Sequence, residues 1–208
     1  MTAAAVGFTA AMVIALVWSE ANRPRARRTF KMLASSGFLV VATTTGALSS
    51  SYGRWILLGL ACSWFGDLLL TIDSRAGFLG GLIAFLLAHV AYGVGFLVRG
   101  IEPGWALATV VPIVIAGAVV FRWLRPHLDA AMRGPVLAYV VVISLMVIAA
   151  AGTVGAEADW RIAVGTAAFY LSDIAVARNR FVAPGFINRA WGLPLYYLAQ
   201  LLLALSTG

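Results

Sequence analysis

The sequence predicts an all-α integral membrane protein with eight transmembrane helices, and three observations support this prediction. Of the 208 residues, 62% are hydrophobic and 11% are charged, whereas a soluble domain has about 25% charged residues. The apolar residues fall into eight runs, most of them close to the roughly 20 residues that a helix needs to cross the hydrocarbon core. The basic residues lie in the segments between the runs. We therefore expect a single polytopic membrane domain over residues 1–208.

Short polar or charged segments separate the eight apolar runs. The first run, 1–19, has no charged side chain and precedes a basic cluster, which is the reverse of the order in a secretory signal. We therefore expect it to be a membrane helix. The remaining spans are expected over 32–53, 55–72, 76–98, 103–121, 134–156, 162–177 and 190–208.

The distribution of basic residues predicts the orientation of the chain. With the N-terminus outside, twelve of the fifteen basic residues lie in loops on the inner side, and only Arg54, Arg99 and Arg161 lie on the outer side. An excess of Lys and Arg marks cytoplasmic loops. We expect both termini to be extracytoplasmic, the basic loops to be cytoplasmic and the membrane to be a plasma membrane of bacterial type. The net charge of +7 then reflects topology and does not indicate a nucleic-acid partner.

Two carboxylates lie inside apolar runs, where an acid is unfavourable. Asp67 follows the segment Ser-Trp-Phe-Gly, and Asp173 follows Phe-Tyr-Leu-Ser, 106 residues later. An Asp at the centre of a membrane helix costs roughly 2.5 to 3.5 kcal/mol, so such a residue normally faces the interior of a helix bundle and has a function. Both acids are expected at matching depth, nearer the cytoplasmic face. The offset also predicts two parallel four-helix repeats, formed by spans 1–4 and spans 5–8.

We expect the two acids to share one pocket, because the small residues Gly66 and Ser172 would allow their helices to approach closely. Two desolvated carboxylates cannot easily both ionise, so one would hold a proton while the other acts as a base. A general acid/base pair needs this arrangement. Asp67 and Asp173 are therefore the candidate catalytic residues. The alternative is that each is an isolated structural hydrogen-bond partner.

Further polar residues lie at helical spacing from the acids or on neighbouring spans. The candidates for substrate binding are Ser63, His89, Tyr92, Tyr170, Arg178, Asn179, Arg180, Tyr196 and Gln200. Structural alternatives remain open, because His and Gln side chains often bond neighbouring helices and the arginines also follow from the positive-inside rule. No spacing predicts a metal site, and no cofactor is expected.

At these residues the sequence resembles the YhhN family, which includes the mammalian TMEM86 lysoplasmalogenases. The similar segments lie on spans 3, 4, 7 and 8. They are S-W-F-G-D-L-L-L from Ser63, F-x2-G-L-x2-F-x3-H-x2-Y from Phe78, Ser172-Asp173 followed by Asn179 and Phe181, and Y-Y-L-A-Q from Tyr196. The resemblance implies hydrolysis of the vinyl ether bond of a lysoplasmalogen, an alkenyl-glycerophosphoethanolamine or alkenyl-glycerophosphocholine. The products would be a fatty aldehyde and the glycerophospho-headgroup, and the family's paired acids fall on Asp67 and Asp173.

The chemistry of vinyl ether cleavage fits two carboxyl groups. Protonation of the distal alkene carbon leaves an oxocarbenium ion, which water captures as a hemiacetal. This step needs a proton donor and a second carboxylate that stabilises the cation and activates water. In this hypothesis Arg178 or Arg180 pairs with the phosphate. Water or the glycerol hydroxyl is positioned by His89, Tyr92, Asn179 and Gln200.

Two other functions remain open from the sequence. Paired membrane acids and a parallel repeat also suit a proton-coupled transporter of a small or lipid-like substrate. A structural or partner-binding membrane protein is the third possibility. The expected partners are a lysophospholipid and the lipid bilayer, and the sequence does not predict the oligomeric state.

Overall fold

The computed structural model describes residues 1–156 and 159–208, and the regular elements in this part of the chain are helical. The eight α-helices are α1 (Thr2–Asn22), α2 (Arg27–Thr44), α3 (Ser51–Leu69), α4 (Arg75–Arg99), α5 (Pro103–Leu124), α6 (Ala130–Gly155), α7 (Trp160–Ala177) and α8 (Phe186–Leu205). Short 3₁₀ turns at Pro24–Ala26, Ala47–Ser49 and Arg125–His127 and a π-helical turn at Arg178–Val182 lie between them. Each predicted apolar run corresponds to one of these helices.

Four segments of the chain are long and apolar enough to cross a membrane. They are Thr2–Asn22, Arg75–Arg99, Pro103–His127 and Ala130–Gly155. The protein is therefore an all-α integral membrane protein, as the composition predicts. Helices α2, α3, α7 and α8 are shorter, at 18 to 20 residues, and less apolar than these four segments. That all eight helices cross the membrane stays a prediction.

The boundary between α2 and α3 differs from the prediction. The second apolar run was expected to continue through residue 53, but α2 ends at Thr44 and α3 begins at Ser51. Gly46 adopts a φ of 94° between them, a conformation that is costly for residues with a Cβ. The side chain of Ser50 then accepts a hydrogen bond from the backbone N–H of Gly53 at 2.9 Å. This serine caps the start of α3, because it satisfies one of the free N–H groups there.

Consecutive helices pack in pairs, and the pairs are similar in the two halves of the chain. The pairs are α1–α2 and α3–α4 in the first half, and α5–α6 and α7–α8 in the second. Helix α2 also contacts α3 and α8, while α6 contacts α7 and α4. The second helix of each half, α2 or α6, therefore contacts the last helix of the other half, α8 or α4. Two parallel four-helix repeats would give this pattern, and the repeat itself stays a prediction.

The small residues expected to join α3 to α7 have other contacts. Gly66 packs on α4, where an added Cβ would lie 2.7 Å from the ring of Phe85. The hydroxyl of Ser172 donates to the carbonyl of Phe169 in its own helix at 2.8 Å. The expectation that Gly66 and Ser172 form the contact between α3 and α7 is therefore corrected, because the ring of Phe85 on α4 lies between Gly66 and Phe169 of α7.

The two ends of the bundle differ in character. At one end α1, α3, α5 and α7 finish and α2, α4, α6 and α8 begin; we call it the basic end, since twelve of the fifteen basic residues belong to it. At the opposite end, the Tyr52 hydroxyl lies 2.6 Å from Ser206 Oγ. Arg99 and Arg161 donate to the carbonyls of Ser206 and Leu205 at 2.8 and 2.6 Å. These bonds fasten α3, α4 and α7 to the end of α8.

Candidate functional site

A cavity of about 310 Å³ lies among the helices toward the basic end. Both predicted acids, Asp67 near the end of α3 and Asp173 near the end of α7, line this cavity. One wall is apolar and is formed by Leu82, Phe85, Val120, Leu124, Val136, Val140 and Ile143. The mouth is polar and charged, with Glu20, Arg27, Asp73, Asn179, Arg180 and Arg189. A cavity of this kind suits an amphipathic molecule with one apolar chain and a polar headgroup.

Asp67 is almost completely buried and is held by three side chains. Its Oδ1 atom lies 3.0 Å from Nζ of Lys31, and its Oδ2 atom accepts hydrogen bonds from the hydroxyls of Ser35 and Tyr196, each at 2.6 Å. A buried charge is tolerated only when it is paired and hydrogen-bonded, and these contacts supply both conditions. Sequence analysis missed Lys31, which was counted among the loop charges, because α2 begins earlier than expected, at Arg27.

The sequence contained one signal for this part of the site. Lys31 and Ser35 are four residues apart, so they lie on the same face of α2. Both point to the carboxylate of Asp67. What the spacing alone did not reveal is that this face of α2 packs toward α3 and α8.

Asp173 has different surroundings from Asp67. Its Oδ2 atom accepts a hydrogen bond from the Tyr139 hydroxyl at 2.7 Å, and Nε2 of His89 lies 3.5 Å from the same oxygen. Nδ1 of His89 lies 2.6 Å from the carbonyl oxygen of Phe85. The Asp173 side chain is 19% exposed, against 2% for Asp67, so Asp173 has the more accessible carboxyl group. Sequence analysis missed Tyr139. It is the one tyrosine of α6, and this isolated polar group in an apolar helix could have identified it.

Glu20 links three helices at the mouth of the cavity. Its carboxylate lies 2.6 Å from Nη1 of Arg189, at the start of α8, and 3.7 Å from Nε of Arg27, at the start of α2. The Glu20 side chain is only 6% exposed although it lies close to the end of α1. Sequence analysis did not single out this acid. The feature that could have identified it is its position, as a lone carboxylate shortly before a run of arginines.

The two arginines predicted to bind a phosphate differ in their contacts. Arg178 donates a hydrogen bond to the side-chain oxygen of Asn188 and does not line the cavity. Arg180 lines the mouth, with its guanidinium carbon 4.4 Å from the centre of the Phe78 ring. Among the described residues, no carboxylate forms an ion pair with Arg180. Asn179 also lines the mouth.

Three predicted substrate-binding residues form a separate buried group. The Tyr92 hydroxyl donates to Oε1 of Gln200 at 2.7 Å and lies 3.3 Å from Oγ of Ser63. All three residues are buried, and none lines the cavity. These bonds connect α4 with α8 and α3. Bonding between helices, the structural alternative for Gln200, is the contact that the structure shows.

The remaining predicted residues lie at the cavity or directly behind it. Tyr196 lines the cavity and donates to Asp67, while Tyr170 lines the cavity with a hydroxyl that has no hydrogen-bond partner in the described part of the chain. His89 is buried behind Asp173 and does not line the cavity itself. Over 1–156 and 159–208, no group of three or more His, Cys, Asp or Glu side chains is arranged to hold a metal ion.

Comparison with known proteins identifies the family of the chain. The YhhN family matches residues 26–207, nearly the whole sequence. The protein belongs to the YhhN family. The human lysoplasmalogenase TMEM86A is 36% identical over 157 residues, which are 73% of the chain and 64% of that relative. The Bos taurus TMEM86A is 33% identical over the same shares of both chains. Human lysoplasmalogenase TMEM86B is 31% identical over 175 residues, 84% of the chain and 71% of that relative.

This YhhN family member therefore spans a little under two thirds of the length of the TMEM86A relatives. No solved structure matches the chain significantly. The four segments on which the resemblance rested lie on α3, on α4, at the end of α7 with the turn that follows it, and on α8. The membership that these segments predicted is confirmed.

Proposed function

We propose that this YhhN family protein is a lysoplasmalogenase, a membrane hydrolase that cleaves the vinyl ether bond of alkenyl-glycerophosphoethanolamine or alkenyl-glycerophosphocholine. The observation that carries the proposal is one cavity in which the carboxyl groups of Asp67 and Asp173 meet an apolar wall and a charged mouth that contains three arginines. The relatives that bear the name lysoplasmalogenase support the reaction class. The products are a fatty aldehyde and a glycerophospho-headgroup.

The cavity suggests how the lipid binds. The alkenyl chain lies along the apolar wall formed by α4, α5 and α6, and the phosphate stays at the mouth beside Arg180. The vinyl ether then lies between these regions, at the depth of Asp67 and Asp173. In this pose the two acids divide proton donation and cation stabilisation between them. Asn179 lies at the mouth, where it can bond the glycerol or the phosphate.

The topology belongs to the same proposal. All eight helices cross a plasma membrane of bacterial type, with both termini outside and the basic end in the cytoplasm, because loops rich in Arg and Lys stay on that side. The cavity mouth lies at the basic end, so the lipid enters from the cytoplasmic leaflet. The cationic mouth favours the anionic phosphate there. The hydrogen bonds at the opposite end, such as Tyr52 to Ser206, give no support to a carrier, which needs access to both sides.

The proposed reaction has a direct test with purified protein in detergent. Aldehyde release is measured from alkenyl-glycerophosphoethanolamine and alkenyl-glycerophosphocholine, with the saturated alkyl ether and the acyl ester of the same headgroup as matched substrates. We expect aldehyde from the alkenyl lipids and no cleavage of the saturated ether, because an oxocarbenium ion forms by protonation only from the vinyl ether. Folded protein that releases no aldehyde from either alkenyl lipid would rule out the proposed function.

Arg180 has a specific role in this proposal, and its replacement should weaken headgroup binding. Arg180→Gln is expected to raise KM for alkenyl-glycerophosphoethanolamine about 10-fold with little change in kcat, because one charge-assisted contact to the phosphate is lost. The comparison substrate is alkenyl-glycerol, which has no phosphate and should show the same KM with both proteins. Arg75→Gln, at the same end but outside the cavity wall, is the control variant. An equal KM increase for both substrates would contradict the phosphate role.

A further inference from the structure

The two acids are held by different partners, and we propose from this geometry that they have fixed and different roles. Asp173 donates the proton to the alkene carbon and later takes a proton from water, with His89 as its positioning residue. Asp67 remains a carboxylate throughout and stabilises the cation, with Lys31 as its positioning residue. This assignment rests on the proposed vinyl ether hydrolysis and names the acid that performs it.

The contacts of Asp67 suit a permanent carboxylate. Lys31 contacts Oδ1 at 3.0 Å, and an ammonium group can only donate hydrogen bonds. The hydroxyls of Ser35 and Tyr196 contact Oδ2 at 2.6 Å. Both oxygens are therefore already occupied by donors, and the side chain is 2% exposed. A carboxylate held in this way stabilises a neighbouring positive charge without reorganisation, but it has no free oxygen with which to deliver a proton.

The contacts of Asp173 suit a proton carrier, and the tautomer of His89 provides the argument. The Phe85 carbonyl can only accept, so Nδ1 of His89 carries the hydrogen of that 2.6 Å bond. In the neutral imidazole, Nε2 is then an acceptor. It faces Oδ2 of Asp173 at 3.5 Å and has no hydrogen-bond partner among the described residues. Two acceptors repel each other at this distance, and a proton on Oδ2 turns the contact into a hydrogen bond to Nε2. Because the His89 side chain is only 1% exposed, burial disfavours the alternative in which the imidazole carries the charge.

Access to the cavity agrees with this assignment. The Asp173 side chain is 19% exposed, and its Oδ2 atom is the one bonded by Tyr139. Among the described residues, no hydrogen bond or ion pair occupies Oδ1 of Asp173. Oδ1 therefore marks the open side of the carboxyl group. Rotation about the Cβ–Cγ bond exchanges the two oxygens, so the proton held at Oδ2 beside His89 can be turned to this side and delivered to a bound lipid.

The reaction balances with water as the only co-reactant. The alkene electron pair forms a new C–H bond with the proton of Asp173, and the ether oxygen shares its lone pair to give the oxocarbenium ion. Water attacks the cationic carbon and returns a proton to the Asp173 carboxylate. The resulting hemiacetal loses the glycerol oxygen as a hydroxyl group and becomes the aldehyde. Asp173 is protonated again at the end of the cycle, and Asp67 has not changed its protonation.

The groups that face each acid decide which variants can test the assignment. Lys31 on α2 and Tyr196 on α8 contact Asp67, and Tyr197 on α8 bonds the same Ser35 hydroxyl at 3.1 Å. His89 on α4 and Tyr139 on α6 face Asp173. The chain thus offers a matched pair, Tyr196→Phe and Tyr139→Phe, because each removes one hydroxyl donor from one acid and leaves the ring in place.

The pH dependence of kcat for aldehyde release tests the assignment with these variants. Loss of a hydroxyl donor disfavours the charged carboxylate, so the affected acid holds its proton to higher pH. Tyr139→Phe is expected to move the alkaline limb upward by about one pH unit, since the proton donor stays protonated longer. Tyr196→Phe is expected to leave the alkaline limb in place, because its hydroxyl bonds Asp67 and not Asp173. An alkaline limb that moves with Tyr196→Phe and not with Tyr139→Phe would overturn the assignment.

An infrared measurement without substrate separates this inference from the proposed function. At neutral pH, the C=O stretch of a protonated carboxylic acid, identified by its shift in D2O, should be present in the wild-type protein. We expect Asp173→Asn to remove this band and Asp67→Asn to retain it. Loss of the band in Asp67→Asn, or its absence from the wild type, would overturn the assignment. A wild-type protein with the expected band but no aldehyde release would refute the hydrolase function and leave the proton assignment standing.

Discussion

Replacing either Asp67 or Asp173 with asparagine is expected to lower kcat for aldehyde release by at least about 100-fold, the lower limit typical for loss of a general acid or base. Asparagine keeps the size of the side chain but can neither donate a carboxylic proton nor carry a negative charge. Asp173→Asn removes the more accessible of these two carboxyl groups, and Asp67→Asn removes the anion beside Lys31. The measurement is kcat with alkenyl-glycerophosphoethanolamine.

The matched control for these variants is Asp129→Asn. Asp129 caps α6 by accepting a hydrogen bond from the N–H of Met132 at 2.8 Å, a role that asparagine also fills. It does not line the cavity, so this variant should keep wild-type kcat. Each variant is first shown to be folded by its thermal unfolding in detergent. A folded Asp173→Asn or Asp67→Asn protein with kcat within a few-fold of wild type would exclude that acid from the reaction.

Replacing Lys31 with methionine is expected to lower the free energy of unfolding by about 3 to 5 kcal/mol, because breaking a buried ion pair leaves one charge without compensation. The Lys31 and Asp67 side chains are 14% and 2% exposed, so water screens the remaining carboxylate poorly. The measurement is the free energy of unfolding in detergent. The methionine has a similar length, and therefore most of the loss comes from the charge.

A double variant separates the charge effect from packing. In Lys31→Met/Asp67→Asn both charges are absent, and we expect much of the lost stability to return, since removing both partners of a buried pair is often nearly neutral. Arg27→Met is the control, because its contact with Glu20 is long, at 3.7 Å, and its side chain is 31% exposed. That variant should cost less than about 1 kcal/mol. A Lys31→Met protein as stable as Arg27→Met would contradict the buried-pair interpretation.

The sequence predicted the helices and showed two acids inside apolar runs, because hydropathy and isolated charges are local properties. It did not predict which side chains hold the acids. Lys31 was assigned to a loop because its charge suggested an exposed position, whereas its pairing with Asp67 depends on the packing of α2 against α3. Tyr139 was missed for the same reason, since its contact with Asp173 depends on α6 packing against α7.

The predicted substrate-binding residues differ in whether they line the cavity, and the physical reason is helix rotation. Tyr170 and Tyr196 line the cavity. Tyr92 and Gln200 do not line it and are hydrogen-bonded to each other. A polar residue in an apolar helix is expected to face the bundle interior, but this does not tell whether it meets a cavity or another helix. Arg180 and Arg178 are two residues apart and therefore point in different directions, so only one of them lines the mouth.

The way in which the two acids are held makes the two halves of the chain depend on each other. Asp67 on α3 is held from α2 and α8, and Asp173 on α7 is held from α6 and α4. Each acid thus takes one set of partners from its own half of the chain and another from the last helix of the other half. Either half taken alone would therefore leave its acid without the partners that the other half supplies.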